Sequence, residues 1–498
     1  MSLPAGVLRG GLLPEPLIFE RSTPGRTGAD CDPHEVGGPA PDAVLPAALR
    51  RDDGLVGLPD VSELDVVRHF TRLSQWNLSA ATTLYPLGSC TMKYNPLVNE
   101  ALVRAPGFAD LHPLLPDAWA QGTLELMDRL ADFLRTVSGL PAISLQPAAG
   151  AHGELTGMKM VRAYHEDRGD PRNRVLIPAS AHGTNPASAA LCGYTVTELP
   201  ANQAGILEVA TVREHLGPDV AAMMVTNPNT IGLFERDIQA IAEAVHAAGA
   251  LLYCDGANMN ALLGVAKPGD MGADVLQFNL HKTFSTPHGG GGPGAGPVAV
   301  SARLEPYLPT PRLVRDADGL RWSEDFPKSI GRVRSFHGNV GILVRAYCYL
   351  RALGGDGLVD VTAMAVLNAN YVRARLADVL PLAFPTPSLH ECVFSDRELE
   401  ATGVRTLDLA KRLLDYGFFA PTIYFPLVVP GAIMIEPTET ESKQTLDEFI
   451  AAVRAIVAEA DTAPELVKEA PHSTFIGRLD ETRAARRPIL RWQPAAAK

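Results

Sequence analysis

A lysine and an aspartate lie at the ends of two successive apolar runs and could together hold a cofactor. Asp255 directly follows the run 251–254, and Lys282 comes shortly after the run 275–278. A lysine at a buried strand end is unusual, although a surface lysine on a loop is the simpler interpretation of Lys282 taken alone. An acid and a lysine at neighbouring strand ends suit a pyridoxal phosphate enzyme, in which the lysine binds the cofactor covalently and the acid pairs with the pyridinium nitrogen.

The charge of Asp255 would act on the ring nitrogen of such a cofactor. Opposite charges about 4 Å apart attract by about 4 kcal/mol before desolvation at an effective dielectric near 20. This attraction is enough to keep a proton on a weakly basic nitrogen, and the protonated ring accepts the negative charge that develops at the substrate α-carbon. An asparagine at position 255 would largely lose this effect.

Two motifs of small residues could complete the site. The motif QPAAGAHG precedes a helical pattern, so Gly150 and Ala151 could present backbone N–H groups to a phosphate, with a plain helix-capping turn as the alternative. The motif SAHGTNPAS follows the apolar run 175–177. Its His182 could stack on the cofactor ring, although a single histidine is more often an ordinary surface or core residue. Thr184 and Asn185 could hydrogen-bond around the ring.

Alternating strand and helix patterns indicate how these residues are positioned. Short apolar runs occur at 175–177, 222–225, 251–254, 275–278 and 298–300. Between the second and third runs, one helical face is apolar and consists of Ile238, Ile241, Ala242 and Val245. Strand–helix–strand repeats predict an α/β fold with a mostly parallel sheet. Ligands bind at the carboxyl ends of the strands in such sheets, where the candidate residues lie.

The chain divides by pattern into three parts. Residues 1–60 predict an extended N-terminal arm, residues 61–330 a large cofactor-binding domain, and residues 331–498 a smaller C-terminal α/β domain. In the smaller domain, Thr438 and Glu441 suggest a capping box. The apolar stripe of the following helix consists of Leu446, Phe449, Ile450, Val453, Ile456 and Val457.

The arm is rich in glycine, proline and aspartate and shows little periodicity. It contains three consecutive apolar residues, Leu17, Ile18 and Phe19, that could lie against a partner surface. A disordered tail is the alternative interpretation. Because ordering each residue costs about 1–2 kcal/mol of backbone entropy, an ordered arm has to bury surface.

Composition excludes several classes of function. The 498 residues carry a net charge of −12 without a basic block, which disfavours nucleic acid and anionic membranes as partners. Six scattered cysteines form no zinc or disulfide framework, so we predict no metal site and reduced thiols in the cytoplasm. The N-terminus lacks a secretory signal. The stretch 418–435 is long, apolar and uncharged enough to suggest a membrane span, but it contains three prolines and therefore predicts short strands.

Common catalytic signatures are absent from the sequence: no zinc-protease helix motif, no serine nucleophile elbow and no P-loop. Gly289, Gly291 and Gly294 match G-x-G-x-x-G, but this segment leads into a strand, whereas a dinucleotide site requires a helix there. The glycines are better interpreted as a loop close to Lys282.

Several longer motifs resemble the glycine cleavage system P-protein family, glycine dehydrogenase (decarboxylating). They are LYPLGSCTMKYNP, QPAAGAHGE, SAHGTNPAS, TNPNTIGLFE, CDGANMNA, NLHKTFSTPHGGGGPGAGP and MIEPTETES. The resemblance extends from about residue 20 to beyond residue 440. The chain length is similar to that of the separate C-terminal, catalytic subunit of the two-subunit form.

The resemblance implies a fold-type-I pyridoxal phosphate transferase fold. In this family the equivalent of Lys282 binds the cofactor, that of Asp255 contacts the ring nitrogen, and those of His182 and Ala257 pack on the two ring faces. His281 stands directly before the lysine, as in related decarboxylases. The implied catalytic residues are Lys282, His182 and His281. The predicted cofactor contacts are Lys282, Asp255, Ala257, His182, Gly150, Ala151, Thr184, Asn185, Asn279 and His281.

The family's reaction and partners follow from the same resemblance. It implies decarboxylation of glycine, transfer of the aminomethyl group to the lipoyl arm of H-protein and release of carbon dioxide. It also implies a heterotetramer of two such chains with two N-terminal subunits that lack the lysine. Pro430 departs from the histidine of many relatives, which puts the role of its loop in doubt.

Two other interpretations belong to different classes. Another pyridoxal phosphate enzyme, such as an amino-acid decarboxylase or a cysteine desulfurase, would share Asp255, His182 and Lys282 but not the motif YPLGSCTMKYNP. A noncatalytic scaffold subunit would have no need to retain both Lys282 and Asp255.

Overall fold

The computed structural model describes residues 14–28, 38–39, 41–50, 57–289 and 294–492, and a seven-stranded sheet forms its centre. The strands of this sheet are β1 (Ala142–Ser144), β2 (Arg174–Pro178), β3 (Thr195–Leu199), β4 (Val220–Thr226), β5 (Leu251–Gly256), β6 (Val275–Phe278) and β7 (Val298–Val300). Their order is β1-β7-β6-β5-β4-β2-β3. From β6 to β3 all neighbours are parallel, whereas β7 runs antiparallel to β6 and β1. The predicted mostly parallel sheet is confirmed.

The central strands are recognisable in the sequence because they are buried along their whole length. Every residue of β4, β5 and β6 is buried, as expected for parallel strands covered by helices on both faces. All five predicted runs lie within strands. The two remaining strands were missed because β1 has three residues and β3 is a largely exposed edge strand of sequence TVTEL.

Helices cover both faces of the sheet and link it to the C-terminal part. They are α1 (Pro41–Val44), α2 (Glu63–Trp76), α3 (Leu97–Val103), α4 (Pro106–Ala109), α5 (Gln121–Ser138), α6 (Gly150–Asp167), α7 (Thr184–Leu191), α8 (Val209–His215), α9 (Ile238–Ala247), α10 (Val340–Leu376), α11 (Thr406–Asp415), α12 (Lys443–Thr462), α13 (Pro464–Lys468) and α14 (Glu481–Arg486). The buried residues of α9 are the predicted face. α10 is interrupted at Gly354, whose φ of 63° is not helical.

A second, antiparallel sheet of three strands lies in the C-terminal part. Its strands β10 (Cys392–Ser395), β11 (Thr422–Ile423) and β12 (Ala432–Ile435) have the order β10-β12-β11 and share a core with α11 and α12. A separate hairpin, β8 (Arg312–Asp316) with β9 (Gly319–Ser323), precedes them. The domain boundaries at residues 60 and 330 stay predictions.

The start of α12 differs from the expected capping box. The N-cap is Ser442, whose side chain accepts from the N–H of Thr445. Thr438 has a φ of 62° and exchanges a hydrogen bond with the hydroxyl of Thr440. The helix therefore begins after Ser442, with Thr445 three residues on, and not after Thr438, with Glu441 three residues on. Thr438 instead belongs to the tight turn that follows β12. The predicted apolar stripe does pack in the C-terminal core.

Part of the predicted arm packs against α2 of the same chain. The side chain of Glu15 has no exposed area and accepts hydrogen bonds from Arg21, Arg72 and His69. The Phe19 ring stacks on Trp492 at 5.1 Å. Residues 1–13, 29–37, 40 and 51–56 of the predicted arm lie outside the described residues, as does Gly291 of the glycine motif.

No helix among the described residues is long and apolar enough to cross a membrane. The stretch 418–435, which the prolines predicted to form short strands, contains β11 and β12.

Candidate active site

A cavity of about 240 Å³ lies at the carboxyl ends of β4, β5 and β6. The N-termini of α6 and α7 and the segment around Ser89 complete its walls. Nine of the ten predicted cofactor contacts line it, namely Gly150, Ala151, His182, Thr184, Asp255, Ala257, Asn279, His281 and Lys282. Asn185 does not line the cavity.

Asp255 ends β5 and is held by three donors. One carboxylate oxygen accepts from the N–H of Ala257 at 2.9 Å and from the amide of Gln277, and the other accepts from Asn185 at 3.0 Å. The residue is 3% exposed. These hydrogen bonds compensate the cost of burying a carboxylate and fix its orientation at the cavity wall.

Asn185 lies behind this carboxylate and joins it to a second one. Its side-chain amide donates to Asp255 and also to Glu154, at 2.8 Å. The structure therefore places Asn185 where it orients two acids, whereas the sequence predicted a contact with the cofactor ring. The buried oxygen of this amide has no hydrogen-bond partner among the described residues.

Glu154 is a site residue that the sequence reasoning missed. It is 4% exposed, and its second carboxyl oxygen is hydrogen-bonded to the hydroxyl of Thr184 at 2.8 Å. Burial and the neighbouring charge of Asp255 raise the pKa of Glu154 to about 8. The available signal was its position in QPAAGAHGE, one helical turn after Gly150 and therefore on the same face of α6.

We expect the E154Q variant to lose a pH-dependent part of the free energy of unfolding. The pKa of Glu154 is about 8 in the folded chain, against an ordinary value of 4.5. Between pH 4.5 and pH 8, Glu154 therefore binds more protons in the folded than in the unfolded state. Its contribution is therefore most favourable at low pH and is lost as the pH rises through this window, by about 1.4 kcal/mol per pH unit. Urea unfolding of both proteins from pH 5.5 to 7.5 measures the difference.

The exposed Glu243 on α9 supplies the control for this comparison. E243Q makes the same change of side chain at an exposed position, and its urea unfolding is measured over the same pH range. Parallel stability profiles for E154Q and the original protein would show that Glu154 is ionised throughout this range.

Lys282 stands in a turn after β6, and its charge affects two imidazoles, those of His281 and His288. Its backbone N–H donates to the carbonyl of Asn279 at 3.0 Å. Burial and the charge of Lys282 lower the pKa of His281 to about 3 and that of His288 to about 4. Partial desolvation and the same charge lower the pKa of His182. The histidines around Lys282 are therefore neutral at physiological pH.

The N-terminus of α6 forms a close-packed edge of the cavity. Ala149, in an extended conformation, and Gly150 begin the helix beside Asn279. A Cβ atom on Gly150 would overlap the side-chain amide of Asn279, and one on Gly296 would overlap the carbonyl of Ala149. Only glycine at both positions lets the start of α6 pack this closely against Asn279 and Gly296. This packing brings the free backbone N–H groups of an 18-residue helix to the cavity.

The cavity walls fit pyridoxal phosphate in their polar chemistry. Buried oxygen or nitrogen atoms of Thr226, Asn279 and His281 have no hydrogen-bond partner among the described residues, and such atoms are uncommon in proteins. All three residues line the cavity. A phosphate and a hydroxylated pyridinium ring would supply partners for them and for the helix N-terminus.

The segment around Ser89 is held in place by two buried acids of the C-terminal part. Ser89 and Thr91 have positive φ values of 63° and 44°. The N–H of Ser89 donates to Glu391 at 2.8 Å, and that of Thr91 donates to Glu436 at 3.0 Å. Burial raises the pKa of Glu436 to about 7 and raises that of Glu391 well above its ordinary value. Both acids were missed, although Glu436 lies in MIEPTETES.

His390 adjoins these two acids in a fully buried cluster. Its Nε2 lies 3.9 Å from Glu391 and 4.0 Å from Glu436. The ligand atoms of all three residues lie within 4.8 Å of one another. The three ligand atoms are close enough together to bind one cation, an arrangement that the scattered cysteines did not predict.

The loop that contains Pro430 is anchored by its backbone. The carbonyl of Pro430 accepts from the hydroxyl of Ser395 at 2.9 Å. Phe425 in the same loop lies edge-on to His182, with ring centres 5.7 Å apart. The loop therefore supports one wall of the cavity without a histidine at position 430.

Comparisons with known proteins identify the family of the chain. Two family models match, "Glycine dehydrogenase, C-terminal domain" at residues 361–473 and "Aminotransferase class-V" at residues 156–292. A probable glycine dehydrogenase (decarboxylating) subunit 2 from Methylococcus capsulatus is 55% identical over 486 residues, which cover 96% of this chain and 99% of that protein. One from Chlorobium chlorochromatii is 54% identical over 95% of this chain and 98% of that protein. The chain belongs to the glycine dehydrogenase (decarboxylating) subunit 2 family. The predicted family is confirmed.

Solved structures confirm the fold-type-I fold predicted for this glycine dehydrogenase family member. A glycine decarboxylase (P-protein) of the glycine cleavage system in inhibitor-bound form has a TM-score of 0.72 at 22% identity, over 86% of this chain and all of that one. A cysteine desulfurase from Thermococcus onnurineus has a TM-score of 0.60 at 14% identity, over 76% of this chain and 95% of that one. At these identities the likeness establishes the fold, whereas the individual site residues stay predictions.

Proposed function

We propose that this chain decarboxylates glycine with pyridoxal phosphate bound covalently to Lys282, and transfers the aminomethyl group to the lipoyl group of H-protein with release of carbon dioxide. The observation that carries the proposal is the meeting of Lys282, Asp255 and the N-terminus of α6 on one cavity. Lysine, ring-nitrogen partner and phosphate site are the three elements that this cofactor requires. The names of the relatives support glycine as the substrate.

Six residues at the cavity have defined roles in this proposal. Pyridoxal phosphate, when bound, withdraws electrons from the substrate α-carbon and so makes loss of its carboxylate possible. Asp255 keeps the proton on the ring nitrogen, and Gly150, Ala151 and Asn279 hold the phosphate. His182 and Ala257 fix the plane of the ring.

We further propose that the chain works in a heterotetramer with two N-terminal partner subunits, and in the cytoplasm. The relatives are named subunit 2, which supports a partner chain. Several large apolar side chains are exposed on α2 and α3, including Phe70 and Leu97 at 57% and 72% exposure. Exposed apolar surface marks sites of protein contact. The five cysteines among the described residues are unpaired, which fits a reducing compartment.

We expect the isolated chain to be poorly active and the complex with its partner to be active. The test measures exchange of labelled carbon dioxide into the carboxyl group of glycine, with and without the N-terminal subunit and lipoylated H-protein. Sedimentation of the same samples gives their size. Exchange should require all three proteins and accompany a larger, symmetric species.

Two outcomes would contradict these proposals separately. Full exchange by this chain with lipoylated H-protein alone would overturn the two-subunit arrangement and leave a self-sufficient oligomer. Absence of exchange by the complete, cofactor-loaded complex would overturn the reaction.

A further inference from the structure

A chain of hydrogen bonds connects Glu154 to the imidazole at the cavity. The Glu154 carboxyl and the Thr184 hydroxyl are 2.8 Å apart, and the same hydroxyl lies 2.8 Å from Nδ1 of His182. The backbone N–H of Thr184 also donates to Nδ1, at 3.2 Å. His182 lines the cavity and is exposed there. The three side chains therefore form a continuous path from a buried acid to a ring that faces the cavity.

The Thr184 hydroxyl has one hydrogen, which leaves two consistent arrangements of protons. When Glu154 carries a proton, it donates to Thr184, Thr184 donates to Nδ1, and the hydrogen of the neutral His182 ring is on Nε2. When Glu154 is ionised, Thr184 donates to the carboxylate, and the 2.8 Å contact with the imidazole stays a hydrogen bond only if His182 donates from Nδ1, at the cost of the acceptor for the backbone N–H of Thr184. The protonation of Glu154 thereby selects the tautomer of His182.

The surroundings of Glu154 favour its protonated form. Asp255 and Tyr253 face it from β5, Lys282 from the turn after β6, and His182 from the turn before α7. Asn185 donates to both carboxyl groups and so holds two acids side by side. Two adjacent buried carboxylates do not both ionise readily. Asp255 accepts from three N–H groups, whereas Glu154 accepts from one, Asn185, and pairs otherwise with a hydroxyl that can itself accept, so the proton resides on Glu154.

We propose that Glu154, Thr184 and His182 form a proton relay in which Glu154 is a positioning residue that fixes the Nε2–H tautomer of His182 and resupplies its proton. When Nε2 gives its hydrogen to a base in the cavity, the Thr184 hydrogen moves to Nδ1 and the Glu154 hydrogen moves to Thr184. The Nε2–H bond and the O–H bonds of Thr184 and Glu154 break, while a bond from hydrogen to the base, an Nδ1–H bond and a new Thr184 O–H bond form. The base gains one proton and Glu154 becomes a carboxylate. The imidazole donates a proton without ever becoming a cation.

This relay deepens the proposed function, because it assigns a proton donor to the same cavity. The role of the relay in glycine decarboxylation depends on the proposed function. The tautomer of His182 does not depend on it. The neighbouring Lys282 disfavours an imidazolium at His182. A donor that stays neutral is therefore suited to this position.

The test follows the reaction of His182 with diethylpyrocarbonate in the full-length chain from pH 6.5 to 9, by mass spectrometry of its peptide. This reagent requires an imidazole nitrogen with a free lone pair. In the Nε2–H tautomer the only lone pair is on Nδ1, where Thr184 covers it. We expect the rate to rise several-fold with a midpoint near pH 8, the pKa of Glu154, as the Nδ1–H tautomer exposes Nε2.

Three variants and one internal reference make the result specific. The side-chain amide introduced by E154Q donates to Thr184 at every pH, so the slow reaction should persist to pH 9. T184S retains the hydroxyl and should behave as the original protein, whereas T184V should lose the rise. His112, whose Nδ1 also accepts from the backbone N–H two residues on, at 3.1 Å, is the reference. Its rate should be the same in all variants.

The relay is overturned if the rate at His182 is flat above pH 7, or if its rise persists in E154Q or in T184V. None of these measurements uses glycine, cofactor or H-protein. A failure of the relay is therefore distinguishable from a failure of the proposed reaction, which the exchange assay tests.

Discussion

Replacing Lys282 with alanine is expected to abolish covalent cofactor binding and glycine decarboxylation together. Lys282 is the one lysine that lines the cavity within the described part of the chain, and it follows the strand next to Asp255. A lysine amine in a partly desolvated site is a nucleophile for a carbonyl cofactor. Activity should fall to background, and the visible absorbance of the bound cofactor should disappear.

Reduction with borohydride identifies the attachment site independently of activity. In the original protein, the pyridoxyl group should be recovered on the peptide that contains Lys282. The exposed Lys159 on α6 provides the control, since K159A removes a lysine from the same region without touching the cavity. Recovery of the pyridoxyl group from any other lysine would show the assignment to be wrong.

The D255N variant is expected to bind cofactor but to lose turnover by about a thousandfold. The lost attraction between the carboxylate and the ring nitrogen is about 4 kcal/mol, which corresponds to about three powers of ten in rate. The loss should fall on the chemical step more than on substrate binding, because the charge acts as electrons move into the ring. Single-turnover decarboxylation of glycine, followed beside cofactor absorbance, separates the two effects.

Asp274 offers a matched buried carboxylate for this experiment. It precedes β6 at the opposite end of the strand, is 2% exposed, and accepts from the N–H of Leu252 and from Ser301. D274N should lower stability without a comparable change in turnover per bound cofactor. Near-normal decarboxylation by D255N would show that Asp255 does not keep the ring nitrogen protonated.

Local patterns explain which parts of the fold were predictable. The buried strands β4, β5 and β6 are continuous apolar runs, and α9 carries a regular apolar face, so each is recognisable without tertiary information. The edge strand β3 is not, because half-exposed threonine and glutamate residues are equally common in loops. The N-terminus of α12 was misplaced by four residues because two capping patterns overlap there.

The same distinction separates the site residues that the sequence predicts from those that it does not. Asp255, Lys282 and His182 were found because strand ends in a parallel sheet meet at one edge. Glu391 and Glu436 were missed because a buried acid has no local signature, whereas Glu154 is recognisable from its position one helical turn after Gly150. Only the folded chain shows that Asn185 joins Glu154 to Asp255, or that two acids of the C-terminal part hold the segment around Ser89.

The contacts between the segment around Ser89 and the C-terminal part constrain the order of folding. The hydrogen bonds from Ser89 to Glu391 and from Thr91 to Glu436 span 302 and 345 residues of sequence. Contacts of such long range form late, because closing the intervening loop costs entropy before any contact repays it. During synthesis, the central sheet can assemble while the C-terminal part is still missing. The wall around Ser89 is completed only after residue 436 has emerged, so a nascent chain acquires its cofactor pocket at the end of its own synthesis.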